Sequence, residues 1–218
     1  MEQRESGWRK DVKVLVVQEA TRSVRRGALV ALAAVTAWLA AAIGSAAEFT
    51  VDGAHSTVGF SVRHLAGRTR GVFRDFAGSF SFDPKKPESV RGSFTAKAAS
   101  IDTGLAKRDE HLRSADFFDA DKHPVLTLVP VSLKPAGPGK YLLLADLTLR
   151  GVTKRVPFDL EYLGSEKSPW GQTADGFSAR GTINRKEFGL GWNTVLESGG
   201  LLVGEIVTLE FELEAVRK

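Results

Sequence analysis

The sequence predicts an all-β domain, an eight-stranded antiparallel barrel with a short helical lid, preceded by an N-terminal signal segment. Three observations carry this. Apolar and polar residues alternate with period two in segment after segment between residues 49 and 215, the mark of strands with one buried face. Turn-forming clusters such as Asp83-Pro84-Lys85-Lys86-Pro87 and Lys134-Pro135-Ala136-Gly137-Pro138-Gly139 join these segments over short distances. One polar stretch, Ser100 to Phe118, departs from the pattern and reads as a helix set among strands.

The leader comes first. Residues 1–26 carry seven Lys/Arg, Gly27 to Ile43 carry no charge, and Ser45-Ala46-Ala47 put small residues where a signal peptidase reads. Cleavage before Glu48 is expected, leaving residues 48–218 as one exported domain. The competing reading is an uncleaved anchor, because 17 apolar residues lie at the lower edge of a membrane span. The dominance of Ala makes that run weakly hydrophobic and favours cleavage. Without residues 1–47 the chain holds 23 Lys/Arg against 22 Asp/Glu, so most of the whole chain's +4 belongs to the leader. No basic face for nucleic acid is implied. The absence of cysteine excludes disulfides, a thiol nucleophile, thiolate metal sites and a lipid-modified cysteine.

The strands follow in order. Residues 49–64 form the first segment, with a bulge expected at Asp52-Gly53, then 71–82 and 89–101; after the helix come 124–133, 140–150, 152–162, 173–184 and 207–215. The cleanest are 152–162, where Val152, Val156, Phe158, Leu160 and Tyr162 share a face, and 207–215, where Val207, Leu209, Phe211, Leu213 and Ala215 do. A meander of eight such strands has two exposed edges, and closure into a barrel removes both. An eight-stranded interior is either filled by side chains or just wide enough for one small ligand.

The wall candidates are Phe60, Phe80, Phe82, Phe94, Leu143, Phe158, Phe177 and Phe211, interspersed with Gly59, Gly78, Gly92, Ala96, Ala98, Ala145, Ala179 and Gly181. Large rings separated by small residues suit an elongated apolar cavity. The same residues can interdigitate into a dry core, since small residues also ease barrel curvature. The pattern leaves both open.

The helix is expected from about Gly104 to Ser114, with Leu105 and Leu112 two turns apart as an apolar stripe toward the barrel. His111 shares a face with Lys107 and Arg108, and an Asp109 to Arg113 pair spans one turn. These charges read either as a solvated face with internal ion pairs or as the polar rim of a pocket. In the second reading His64, which alternation from Val58 through Phe60 and Val62 puts on the apolar face, joins Arg108, Asp109 and His111, with His55 at the other end of its strand, to hold a head group. A metal site is not expected: His55, His64, His111 and His123 have no spacing that presets a ligand geometry. His123 precedes Pro124 and shapes the entry to the next strand. The chain is not read as an enzyme. Gly-x-Ser-x-Gly does not occur, His55 and Ser56 point to opposite strand faces, and Asp109 with His111 could act only on a head group brought between them. Loops 164–172 and 186–204, with Trp170, Trp192 and Gly199-Gly200, read equally as a flap or as surface turns.

Five segments, in order, resemble the YceI-like polyisoprenoid-binding proteins. They are Asp52-Gly53-Ala54-His55-Ser56 with Phe60-Ser61-Val62-Arg63-His64; Gly71-Val72-Phe73 to Phe76-Ala77-Gly78; Ser100 to Phe118; Leu147-Thr148-Leu149-Arg150-Gly151-Val152-Thr153-Lys154; and Asn184-Arg185-Lys186-Glu187-Phe188-Gly189. The resemblance covers residues 48–218. It implies a periplasmic, lipocalin-like barrel enclosing an isoprenoid or other long-chain amphiphile, with no cofactor and no established catalysis. It places Arg108 to Leu112 and His64 near the cavity mouth and Phe117-Phe118 at its entrance or wall. The other readings left standing are a packed, non-binding stress-response or structural barrel and an enzyme acting on a lipid head group. Loading at a membrane surface and pairing of two copies are both open.

Overall fold

A computed structural model describes residues 46–198 and 200–218. The leader lies outside the described residues except for Ala46 and Ala47, and so does Gly199. Alternation becomes sheet where the sequence places it, and the longest strands are those with the cleanest period. In chain order the strands are β1 (Ala47–Val51), β2 (Thr57–His64), β3 (Gly67–Phe73), β4 (Phe76–Phe82), β5 (Arg91–Lys97), β6 (Ile101–Asp102), β7 (Val125–Gly137), β8 (Lys140–Leu149), β9 (Val152–Lys167), β10 (Thr173–Asn184) and β11 (Val203–Arg217). One helix, α1 (Ala106–Arg113), lies between β6 and β7.

All pairings are antiparallel, and the order β1-β4-β5-β7-β8-β9-β10-β11 closes on itself through β1 and β11. The strands outnumber the eight expected segments because three segments break. β1 and β2 lie end to end along β11, and β3 and β4 lie end to end beside them. The first break is an Asx turn, in which the Ala54 amide donates to Asp52 Oδ1, while Ser56 bonds both ways with the main chain of Glu214. The second, at Arg74-Asp75, sends its main chain to Ser100 and Lys97 of the next segment. That segment divides into β5 and β6 around a 3-10 turn at Ala98–Ser100. Eight positions around one barrel result.

The connections divide between two ends. The lid end gathers the β2–β3 turn, residues 103–124 with α1, the β8–β9 turn and residues 185–202. At the β8–β9 turn Arg150 and Gly151 both have positive φ (48° and 76°), the two-residue geometry that matches strand twist. The opposite end gathers the chain ends of the barrel and the turns near residues 83–90, 138–139 and 168–172. Register shifts in β7 fall at Pro130/Ser132 and Pro135/Gly137, where proline is tolerated in a sheet.

Of the two readings the sequence leaves open, these glycines follow the packed one. Instead of leaving gaps, they sit opposite phenylalanines on neighbouring strands: Gly71 opposite Phe60, Gly78 opposite Phe94, Gly92 opposite Phe80, and Gly181 opposite Phe158. Each ring covers its glycine. A Cβ at Gly78 would lie 2.4 Å from Phe94 Cδ1, and one at Gly181 2.5 Å from Phe158 Cδ1. At Gly92, with φ +154°, the obstacle includes backbone: a Cβ would lie 2.5 Å from both Phe80 Cβ and Ser79 O. Because backbone blocks that position, Gly92→Ala is expected to cost about 1–3 kcal/mol, measured as a lowered urea midpoint.

The helix differs from expectation as well. Leu105 is its N-cap and is 54 % exposed, so only Leu112 reaches the interior. The expected Asp109–Arg113 pair does not form, because both side chains have main-chain partners. Asp109 accepts from the Thr103 amide, and Arg113 donates to Ala99 O and Ile101 O. Arg150 likewise donates to Phe117 O and Gly189 O. In a domain without disulfides, arginine-to-carbonyl bonds fasten the lid end.

Candidate functional site

The inward stripes of the barrel enclose three apolar cavities. The one toward the opposite end, about 60 Å³, is walled by Phe80, Phe82, Phe94, Leu143, Phe158, Phe177 and Phe211 among other apolar residues. A middle cavity, also about 60 Å³, shares Phe94, Leu128, Phe211 and Leu213 with it. A third under the lid, about 100 Å³, is walled by Phe60, Leu112, Phe117 and Phe118 and shares Phe73, Leu126, Leu149 and Leu209 with the middle one. The shared walls set the three head to tail along the barrel. All ten of the apolar wall residues singled out in the sequence line the first or third cavity.

Aromatic rings close both ends. At the opposite end Phe177 meets Phe49, Phe80, Phe82 and Tyr162, with centroids 5.2–5.8 Å apart. At the lid end Phe118 meets Phe73 edge to face, and Trp192 packs on Phe117 and His111. Offset and edge-on pairs of this kind add to area burial.

The polar residues singled out in the sequence do not converge on this lumen. His55, exposed at the β1–β2 break, pairs through Nδ1 with Asp52 Oδ2 at 2.8 Å. His64 ends β2, opposite Gly67 and Val203. Arg108 donates to the Thr103 hydroxyl and carbonyl, and Asp109 accepts from the same residue. His111 packs edge to face with the rings of Phe117 and Trp192, with Nε2 2.9 Å from Asp116 Oδ2. Arg108, Asp109 and His111 therefore secure the lid, and none of the five residues lines the three cavities. Among the described residues one carboxylate and histidine group has metal-like spacing, Asp52 with His55 and Glu214, within 4.8 Å of one another on the outer surface.

The charges that do face inward are two the sequence reading passed over. The inward stripe of β10 runs Asp175, Phe177, Ala179, Gly181, Ile183 and continues by parity to Arg185, so one strand carries an acid at one end of the lumen and a base at the other. Asp175 is 0 % exposed. It accepts from the Tyr162 hydroxyl and Arg217 Nη2, each at 2.7 Å, and from Ser165 at 3.3 Å. Arg217 also lies over the Phe49 ring. Its bond to Asp175 raises its own pKa. Arg185 is 3 % exposed. It donates through Nε to Gly204 O, through Nη1 to Leu190 O and Trp192 O, and through Nη2 to Val203 O at 3.4 Å. Burial lowers the pKa of its guanidinium, opposed by the charge of Glu205. Asp175 lies within the segment 173–184 read as a strand, and extending that alternation by one residue, to Arg185, would have found both.

The Tyr162 phenol is pushed above its ordinary range, first by burial and then by its bond to Asp175. A phenol pKa raised in the folded state contributes stability that is intact below about pH 10 and lost as pH rises through the folded value. The wild-type domain is therefore expected to lose stability more steeply than Tyr162→Phe above about pH 10, measured as denaturant midpoints against pH.

The model of the YceI-like domain matches residues 49–215. A UPF0312 protein of Azotobacter vinelandii is 40 % identical over 165 residues, covering 74 % of this chain and 86 % of its own length. One from Pseudomonas putida is 37 % identical over 191 residues, 86 % of this chain and 96 % of its own. Among solved structures, BcnA of Burkholderia cenocepacia superposes with TM-score 0.67 at 26 % identity, over 75 % of this chain and 98 % of that one. The Campylobacter jejuni YCEI protein gives 0.59 at 32 % identity, over 68 % and 84 %. A polyisoprenoid binding domain from Saccharophagus degradans, at 15 % identity and TM-score 0.54 over 78 % and 98 %, shares the fold. By the residues matched and the identity across the barrel, this chain belongs to the YceI-like domain family.

Proposed function

We propose that the protein binds a single long apolar chain, the tail of an isoprenoid or similar amphiphile, inside its barrel, and sequesters or carries it in the periplasm after loss of residues 1–47. The observation that carries this reading is the run of three apolar cavities with shared walls. Apolar cavities of this kind do not hold water. Left unfilled, each removes about 1–2.5 kcal/mol of stability at ~24 cal/mol per Å³. A chain recovers that loss, and burying it contributes about 0.8 kcal/mol per CH2 before ordering costs. Set head to tail, the combined space amounts to roughly seven water volumes at ~30 Å³ each, a narrow run that suits one chain, whose entry spreads the lining side chains, and not a bulky polycyclic ligand.

The name of the Saccharophagus degradans neighbour agrees with an isoprenoid, and the family assignment favours binding over turnover. The inward-facing ionic groups are held in structural hydrogen bonds, and no cofactor enters the proposal. The test is native mass spectrometry of protein purified from its own cell envelope. A binder retains a lipid adduct that denaturation releases as a chain-bearing molecule; a uniformly lipid-free protein would favour a barrel acting through its surface.

A further inference from the structure

The rim of the lid end carries two local features that cost free energy and that the barrel interior does not explain. On the β2–β3 hairpin Arg63 stands directly opposite Arg68, and Arg70 follows two residues on, so the three share the outer face. Like charges directly opposite on paired strands are destabilising. Elsewhere in the barrel Arg74, Arg155, Arg180 and Arg217 each pair with a carboxylate. Here Arg63 has only the Leu65 carbonyl, at 3.2 Å, and Arg68 and Arg70 have neither an ion pair nor a hydrogen bond among the described residues. The second feature is the hairpin tip. Leu65 is 46 % exposed and holds φ 50°, a left-handed conformation that suits glycine or asparagine far better than leucine. Its amide donates to Leu202 O at 3.0 Å, which sets the tip beside a second hairpin, residues 194–202, where Val195 bridges Leu201. Val195 is 71 % exposed and Leu201 37 %. Of residues 63–70 and 194–202, only Glu197 is acidic.

We propose that this rim docks on an anionic membrane surface, with Leu65, Val195 and Leu201 entering the interface and Arg63, Arg68 and Arg70 meeting lipid phosphates. Apolar burial and charge attraction add in such a contact, and a phosphate between Arg63 and Arg68 replaces their repulsion with charge-assisted bonds. Arginines on a free strand edge also deter edge-to-edge pairing, and β3 has such an edge, since it meets β6 only at Val72 and Phe73. That role accounts for Arg68 and Arg70, but not for Arg63 on β2 or for a leucine held exposed in a backbone geometry that disfavours it. Docking by this rim turns the lid and the cavity beneath it toward the bilayer. The contact itself lies on the outer surface and does not depend on what the lumen holds.

The absence of cysteine lets the full-length protein carry one label at a time. A polarity-sensitive fluorophore is attached at Ala66→Cys, beside the tip, or at Gln172→Cys in the opposite end, near Trp170, which is 87 % exposed. Each label reports only its own surroundings. Vesicles of one part phosphatidylglycerol to two parts phosphatidylcholine are expected to blue-shift the label at position 66 and not the one at 172, and pure phosphatidylcholine or half-molar salt to weaken binding at least tenfold. Combining Arg63→Gln, Arg68→Gln and Arg70→Gln should also weaken it at least tenfold. Leu65→Asn, which suits the left-handed backbone, should keep the denaturant midpoint and weaken binding at least threefold. A shift at position 172, a shift at neither position, or equal binding to both kinds of vesicle would overturn the proposal. Fatty-acid binding by a protein that ignores vesicles would overturn docking and leave chain binding intact. The two labels decide the docking face even if the triple variant does not fold.

Discussion

Truncating Phe177 to Ala is expected to lower stability by about 3–5 kcal/mol, the range for removing a large buried aromatic. The ring is 4 % exposed and sits where the rings of Phe49, Phe80, Phe82 and Tyr162 converge, so it joins β1, β4, β9 and β10 at the opposite end of the barrel. Its neighbours are themselves locked by stacking, as Phe49 is on Phe80 at 5.1 Å, and cannot collapse far into the space left. A cavity also enlarges there, next to the 60 Å³ that Phe177 already lines. Urea denaturation of the variant should show a much lower midpoint with an unchanged slope. A change under 1 kcal/mol would mean that the aromatic cluster is not what closes this end.

Filling the lumen should separate binding from stability. Ala96 lines the middle cavity opposite Leu126 and Phe76, so a ring there would fill the space between the two end cavities. Ala96→Phe is expected to reduce affinity for a long-chain fatty acid at least a hundredfold, because a blocked middle cavity removes burial of about four CH2 groups at ~0.8 kcal/mol each. Stability should change far less in proportion, since the ring enters existing space; strain from imperfect fit sets an upper bound of about 3 kcal/mol. Circular dichroism and a titration at a temperature well below unfolding would check both halves.

The fold was largely legible because alternation is a strong signal where one strand face is buried and the other is wet. β9 and β11 show it most plainly, and the structure extends both beyond the segments read, to Lys167 and to Val203–Arg217. The breaks that turn three segments into six strands were less visible. They depend on side-chain-to-backbone bonds, such as Asp52 to the Ala54 amide, that a polarity pattern does not encode. The glycines were ambiguous for a related reason. Whether a small residue leaves a void depends on the strand beside it, and the register puts Phe60, Phe94, Phe80 and Phe158 over those positions.

The site was legible in its walls and not in its charges. Histidines and the polar helix attract attention in a sequence, yet Arg108, Asp109 and Arg113 are engaged in holding the lid to residues 99–103. Asp175 and Arg185 were hidden because each stands at a strand end, where alternation is weakest, and because inward charge is improbable on burial statistics. Partners distant in sequence, Arg217 for Asp175 and residues 190–204 for Arg185, make these positions tenable.

Titrating the delipidated protein with saturated fatty acids of increasing length, head group held constant, shows whether the barrel interior takes up one apolar chain. From Asp175 to Arg185 the lumen follows about 33 Å of strand at ~3.3 Å per residue, less along the axis because barrel strands tilt. Affinity should therefore climb with each added CH2, by no more than about 0.8 kcal/mol, and level off once the chain outgrows the lumen. Affinity that is independent of chain length, or that climbs equally in Ala96→Phe, would contradict the account.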